Sequence, residues 1–198
     1  MFCFLLFLPL IFSFRTYYMT GISYTGEKYK DEIFIDVTTI SVCKTLENWR
    51  LGNNGNGRKP YGLYLKTSYI RNVVAWTYEA APLNPAFGDR KTTTIKLLAA
   101  FYGESGFHPT IKNTGLNKNG TFDVGLTQRN SIHAKPFRRF CLKRNLDTKK
   151  IRYEMLYAAY INQILKWNYK YEGNRKDLNF FYYQLRKDVA EGMKRRGY

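Results

Sequence analysis

Acidic residues are scarce in this chain: 15 Asp and Glu stand against 32 Lys and Arg over 198 residues, a formal charge of +17. So positive a field disfavours cationic partners and gathers polyanions, whether nucleic acid or a cell wall rich in carboxylates and phosphates. A solvated basic surface with no partner is the plainer alternative. Histidine occurs only 2 times and cysteine 3 times. No Cys-x-x-Cys or Cys/His spacing suggests zinc. Long hydrophobic runs are also missing. The apolar stretch Met1–Phe14 is fourteen residues long, short of the ~20 that span a bilayer. It suits the apolar region of a secretory signal, although no basic residue precedes it and no small-x-small cleavage site follows. An uncleaved membrane anchor reaching to Met19, with Arg15 snorkelling, remains the alternative. The glycine-rich stretch Gly52–Gly57 is not followed by Gly-Lys-Ser/Thr, so it reads as a turn or loop rather than a phosphate cradle. There is no internal repeat.

What is present is aromatic: 17 Tyr and 14 Phe help bring the hydrophobic share to 44%, enough for one sizeable core. Residues 15–69 read as an irregular, partly β extension, with Ile33–Ile40 as a strand because of its β-branched residues. From Ser68 the spacing of Ile70, Val73, Val74 and Thr77 predicts a helix ending before Pro82 and Pro85. A second helix starts near Thr92–Thr94 and runs to Glu104. Its stretch Leu97–Tyr102 is apolar on every face, which marks a buried helix, and Ser105-Gly106 ends it. Asn119-Gly120 is a strong hairpin signal. A long helix is expected from about Thr148 to Tyr171, capped by Asp147 or Thr148 with Gly173 beyond its end, and a last one over Asn174–Met193. Without Cys3, which lies in the leader, Cys43 and Cys141 could form one disulfide or remain two buried thiols.

Glu104 is the first candidate for chemistry. At the C-terminal end of an apolar helix, the negative end of the dipole and dry surroundings would both raise its pKa. A carboxylic acid that keeps its proton near neutral pH can protonate a leaving-group oxygen. Asp123 follows nineteen residues later, on or beside the Asn119-Gly120 turn. Two carboxylates on a helix end and a small sheet can flank a glycosidic bond. The plainer readings are a solvated Glu at a frayed helix end and a turn Asp bonded to backbone.

These residues carry a resemblance. Glu104-Ser105-Gly106-Phe107-His108-Pro109 resembles the Glu-Ser-x-Phe-x-Pro signature of soluble lytic transglycosylases. Asn117–Ser131 contains Gly125-Leu126-Thr127-Gln128 and resembles their Gly-Leu-x-Gln segment. Its Asn-Gly-x-x-Asp-x-Gly-Leu-x-Gln-x-Asn-Ser form is similar to transglycosylases of secretion and conjugation systems, and to the hairpin of animal-type lysozymes. The resemblance covers about residues 92–171. It implies that Glu104 is the catalytic acid/base and that Ser105, Gln128 and Asn130 orient it or bind sugar. It further implies that Asp123 stabilises or attacks the positive sugar centre. Thr127 and Arg129 replace the apolar residues that usually flank the Gln, and Arg129 could either put a cation near the cleft or point outward. The family's Ala-Tyr-Asn-x-Gly has only Tyr182-Tyr183-Gln184-Leu185 as a counterpart, so Tyr183 is a weaker candidate for substrate binding.

The implied fold class is mainly α (α+β), a lysozyme-like domain over 70–198 with a small β-hairpin at the cleft. A leader over 1–19 and an extension over 20–69 precede it. The implied activity is cleavage of the bond between N-acetylmuramic acid and N-acetylglucosamine, ending in a 1,6-anhydro sugar, or in hydrolysis with Asp123 as nucleophile or support. Neither ending requires a cofactor or metal. The implied partners are peptidoglycan strands and a secretion or conjugation apparatus, in a secreted, periplasmic or envelope-associated location. Two rivals differ in class. One is a nucleic-acid-binding protein using its charge and aromatics such as Tyr169, Tyr171, Phe180, Phe181 and Tyr182, although no specific nucleic-acid motif is present. The other is a glycan-binding module without turnover.

Overall fold

The computed structural model describes residues 26–51, 66–84, 88–112, 117–164 and 176–198. The apolar stretch Met1–Phe14, the expected loop at Gly52–Gly57, Pro85 and the segment holding Tyr169, Tyr171 and Gly173 lie outside these residues. Six helices account for most of what is described: α1 (Gly26–Leu51), α2 (Thr67–Ala80), α3 (Arg90–Ser105), α4 (Ala134–Leu142), α5 (Ile151–Ile164) and α6 (Lys176–Arg195). One two-stranded antiparallel sheet, β1 (Asp123–Val124) and β2 (Arg129–Asn130), stands between α3 and α4. The expected class, mainly helical with a small sheet, is therefore observed. No helix among the described residues is long and apolar enough to cross a membrane.

The clearest correction concerns Ile33–Ile40. The stretch is not a strand, because it lies inside α1, and the described part of the expected 15–69 extension is helical over Gly26–Leu51. β-Branched residues prefer strands only weakly, and tertiary burial overrides that preference. Here Phe34, Val37, Thr38 and Val42 are all buried, against α2 and α6. Thr38 Oγ1 is buried without a hydrogen-bond partner, but three neighbouring hydroxyls that would disfavour a buried helix are satisfied within it. Thr39 Oγ1 donates to Ile35 O at 2.8 Å, Ser41 Oγ to Val37 O at 2.9 Å and Thr45 Oγ1 to Ser41 O at 2.8 Å. Arg71 of α2 reaches across to Glu32 at 2.7 Å and Asp36 at 2.9 Å.

α1 lies beside α2 and α6, and α3 also lies beside α2 and α6, so these four helices close a ring around one core; α5 packs on α2 and carries α4. α3 is the buried helix its composition predicts, with Leu97, Leu98, Ala99, Ala100 and Phe101 all shielded from solvent. It begins slightly earlier than expected, at Arg90, because Asp89 caps it by accepting from Lys91 N at 2.8 Å and Thr92 N at 3.0 Å. Gly106, with φ +60°, ends it in the left-handed conformation. α5 begins at Ile151 rather than at Thr148, and Asp147 caps only the preceding turn through Lys149 N at 2.9 Å. α4 was not expected. Its Phe137, Phe140 and Cys141 form a second, smaller cluster with Tyr157 of α5. Cys43 packs against the main core while Cys141 lies in the second cluster, and both are free thiols. Burial is the leading influence on each, raising its pKa.

Candidate active site

The last turn of α3 and the hairpin after it are joined by Ser105. This side chain is 4% exposed, and its Oγ lies 2.6 Å from Leu126 O and 3.3 Å from Phe101 O. The turn between β1 and β2 is thereby fastened to the residue next to Glu104. Glu104 itself is exposed. The dry surroundings expected from an apolar helix are absent at this position, because the final turn of α3 directs Tyr102 and Ser105 inward and leaves Glu104 on the outer side.

Beyond Gly106 the chain stays left-handed at Phe107, with φ +65°. That conformation costs an L-residue about 1–2 kcal/mol. Full burial of the ring against Tyr102 and Phe181 offsets it, with centroids 5.7 and 6.2 Å away. Tyr69 Oη donates to Phe107 O at 3.1 Å and pins the turn from α2. Burial pushes the Tyr69 hydroxyl up to about 12. The Phe of the Glu-Ser-x-Phe stretch thus serves the core, and its strained backbone sets the direction in which the chain leaves α3.

The sheet registers Asp123 opposite Asn130 and Val124 opposite Arg129. Asn119-Gly120 does form a tight turn, with Asn117 N donating to Thr121 O at 2.6 Å, but it does not close the strand pair. Residues 125–128 close it, where Gly125 and Gln128 have φ of +77° and +45°. Gly125 N donates to Ile111 O at 2.8 Å, and Gln128 Nε2 donates to Ile111 O at 3.2 Å and to Gly125 O at 2.9 Å. Gln128 therefore holds the turn together from inside.

Asp123 is held by side-chain amides. Asn130 Nδ2 donates to its Oδ1 at 2.8 Å and Asn117 Nδ2 to its Oδ2 at 3.1 Å. Both amides also reach Thr121 Oγ1, at 2.9 and 3.0 Å. Asn130 Oδ1 in turn accepts from Ile132 N at 3.1 Å and caps the short 3-10 turn Ser131–His133. The structure thus brings Glu104, Ser105, Asp123, Gln128 and Asn130 to one helix-end and hairpin unit. Tyr183 stands apart from that fastening: it is 61% exposed on α6, with its ring edge-on to Tyr182.

Arg129 does not point outward. Its side chain is 16% exposed, with Nη2 3.6 Å from Glu154 Oε1 and the guanidinium 4.8 Å over the Phe137 ring. One residue of β2 thereby meets both α4 and α5. Glu154 lies directly under the hairpin turn, since a Cβ on Gly125 would stand 2.7 Å from its Oε2. Burial raises the Glu154 carboxyl above its ordinary range, and Arg129 opposes the shift. Sequence reasoning missed Glu154 because a single acid in an amphipathic helix carries no signal. The available signal was its partner, a cation where the motif usually has an apolar residue. No group of three metal-ligating side chains occurs among the described residues.

Compared with known protein families, with curated proteins and with solved structures, the chain matches none of them.

Proposed function

We propose that this chain cleaves the β-1,4 bond between N-acetylmuramic acid and N-acetylglucosamine in peptidoglycan, as a lytic transglycosylase of lysozyme-like fold. The observation that carries the reading is the Ser105–Leu126 bond, which fastens the helix end bearing Glu104 to the hairpin bearing Asp123. Glu104 protonates the glycosidic oxygen as the C1–O bond breaks, and positive charge develops on the muramic acid ring. Glu104, now a carboxylate, takes the proton of that sugar's own 6-hydroxyl as its oxygen bonds to C1, leaving a 1,6-anhydro end and the acid restored. In the free chain Glu104 faces solvent, so the bound strand itself would supply the water-excluded surroundings the acid needs.

Asp123 favours a role in stabilising charge. Two amide donors occupy its oxygens, which fixes the carboxylate and lowers its reactivity as a nucleophile while leaving its field in place. The same fixed carboxylate keeps hydrolysis as the second reading, with water attacking C1 in place of the 6-hydroxyl. With the apolar leader, the reading places the chain outside the cytoplasm or at the envelope.

Mass spectrometry of the soluble products from purified peptidoglycan tests this, with Glu104→Gln as control. Anhydro-muropeptides from the wild type alone are expected. Reducing-end products would assign hydrolysis and give Asp123 the larger part. No products from walls that the wild type binds would overturn the enzyme reading in favour of a binding module.

A further inference from the structure

The positive charge of this chain is unevenly paired. Several arginines have acidic partners on α1 and α2: Arg71 with Glu32 and Asp36, Arg90 with Asp31, and Arg152 with Glu79. Between Ile132 and Lys150 there is one acid, Asp147, against seven Lys and Arg. Lys135, Arg138, Arg139, Lys143, Lys149 and Lys150 are exposed, and none makes a salt bridge among the described residues. Arg144 lies over the Phe140 ring, its guanidinium carbon 4.1 Å from the centroid.

The cations are also ordered. Positions 135, 138, 139 and 143 follow the spacing of one helical face, a stripe about 12 Å long at ~1.5 Å per residue. The opposite face, Phe137, Phe140 and Cys141, is buried against α5. α4 therefore cannot roll its apolar side into a lipid surface, and its cations are presented on a rigid support. Unpaired like charges at this density repel one another and favour a polyanion along the stripe. The chain passes from Asn130 through the Ser131–His133 turn directly into α4, so the stripe continues the hairpin of the candidate site.

We infer that the exposed face of α4 and the turn to Lys150 form a second binding surface, which takes the stem-peptide carboxylates of the wall strand whose glycan lies at Glu104. This rests on the proposed function, because only a strand seated in the cleft gives a reason for the stripe to adjoin the hairpin. Arginine and lysine suit carboxylates through charge-assisted hydrogen bonds, and long-range attraction would also speed capture of the polymer.

The test is co-sedimentation of the full chain, carrying Glu104→Gln so that turnover does not interfere, with purified peptidoglycan at several salt concentrations. The surface variant adds Lys135→Gln, Arg138→Gln, Arg139→Gln and Lys143→Gln. We expect its affinity to fall at least about tenfold, with most of the salt dependence lost. Amidating the wall's carboxylates should weaken the unaltered surface to a similar degree, a comparison independent of whether the variant folds. Equal binding of native and amidated walls would overturn the inference. So would a variant that loses duplex DNA binding but keeps its affinity for the wall, which would assign the stripe to nucleic acid. Failure of the product analysis while this binding difference stands would remove the enzyme reading and leave the surface.

Discussion

Glu154 and Arg129 show how a residue pair can lie at the base of a candidate site while touching none of its expected chemistry. Arg129 stands between Gln128 and Asn130 in sequence, and its side chain runs into the junction of β2, α4 and α5. Glu154 meets it there, beneath Gly125. Because burial is the larger influence, the folded chain holds the Glu154 proton more tightly than the unfolded chain does. Such a group contributes its full stability below the unfolded value, near 4.5, and loses it as the pH rises through the higher folded value. Glu154→Gln removes that loss. Its urea midpoint relative to wild type should rise as the pH increases above the unfolded value, near 4.5. A relative midpoint that falls with pH would mean that the Arg129 pairing outweighs burial.

At the scale of elements, α1 and α6 meet at Gly192, where a Cβ would lie 2.6 Å from Val37 Cγ1. In an exposed helix, Gly→Ala gains about 1 kcal/mol from propensity. Here Val37 is 4% exposed and β-branched, so it cannot swing aside. Overpacking of this kind costs about 1–3 kcal/mol. Gly192→Ala should therefore lower the thermal midpoint, and adding Val37→Ala should recover part of it. Stabilisation by the single change would show that α1 and α6 are farther apart. Element boundaries were legible where the signals were local. Gly106 ends α3 through a contact within a few residues, as Ser105-Gly106 signals, whereas the Asp89 cap went unread and the start at Arg90 was placed too late. α4 was not legible, because its short apolar stripe acquires meaning only against Tyr157 of α5.

For the whole molecule, α1 belongs to the main core rather than to an appendage. Phe34, Val37, Val42 and Leu46 are each no more than 4% exposed, and burying such side chains contributes about 1.5–3 kcal/mol apiece. Their sum is comparable with the entire stability of a domain, about 5–15 kcal/mol. A chain beginning at Lys66 should lack a cooperative urea transition and near-ultraviolet circular dichroism. Retention of both would show that α2–α6 fold without α1.

The sequence by itself determined the helical class and the buried character of α3. Each follows from periodicity or from residues close along the chain. Only the tertiary structure decided that Ile33–Ile40 is helical, since flanking helices bury it and its neighbouring hydroxyls bond to the preceding turn. It likewise decided that Asn119-Gly120 does not close the sheet, that Ser105 faces Leu126, and that Arg129 finds Glu154. Those outcomes depend on which surfaces meet across long stretches of chain, and local propensity holds no record of such meetings.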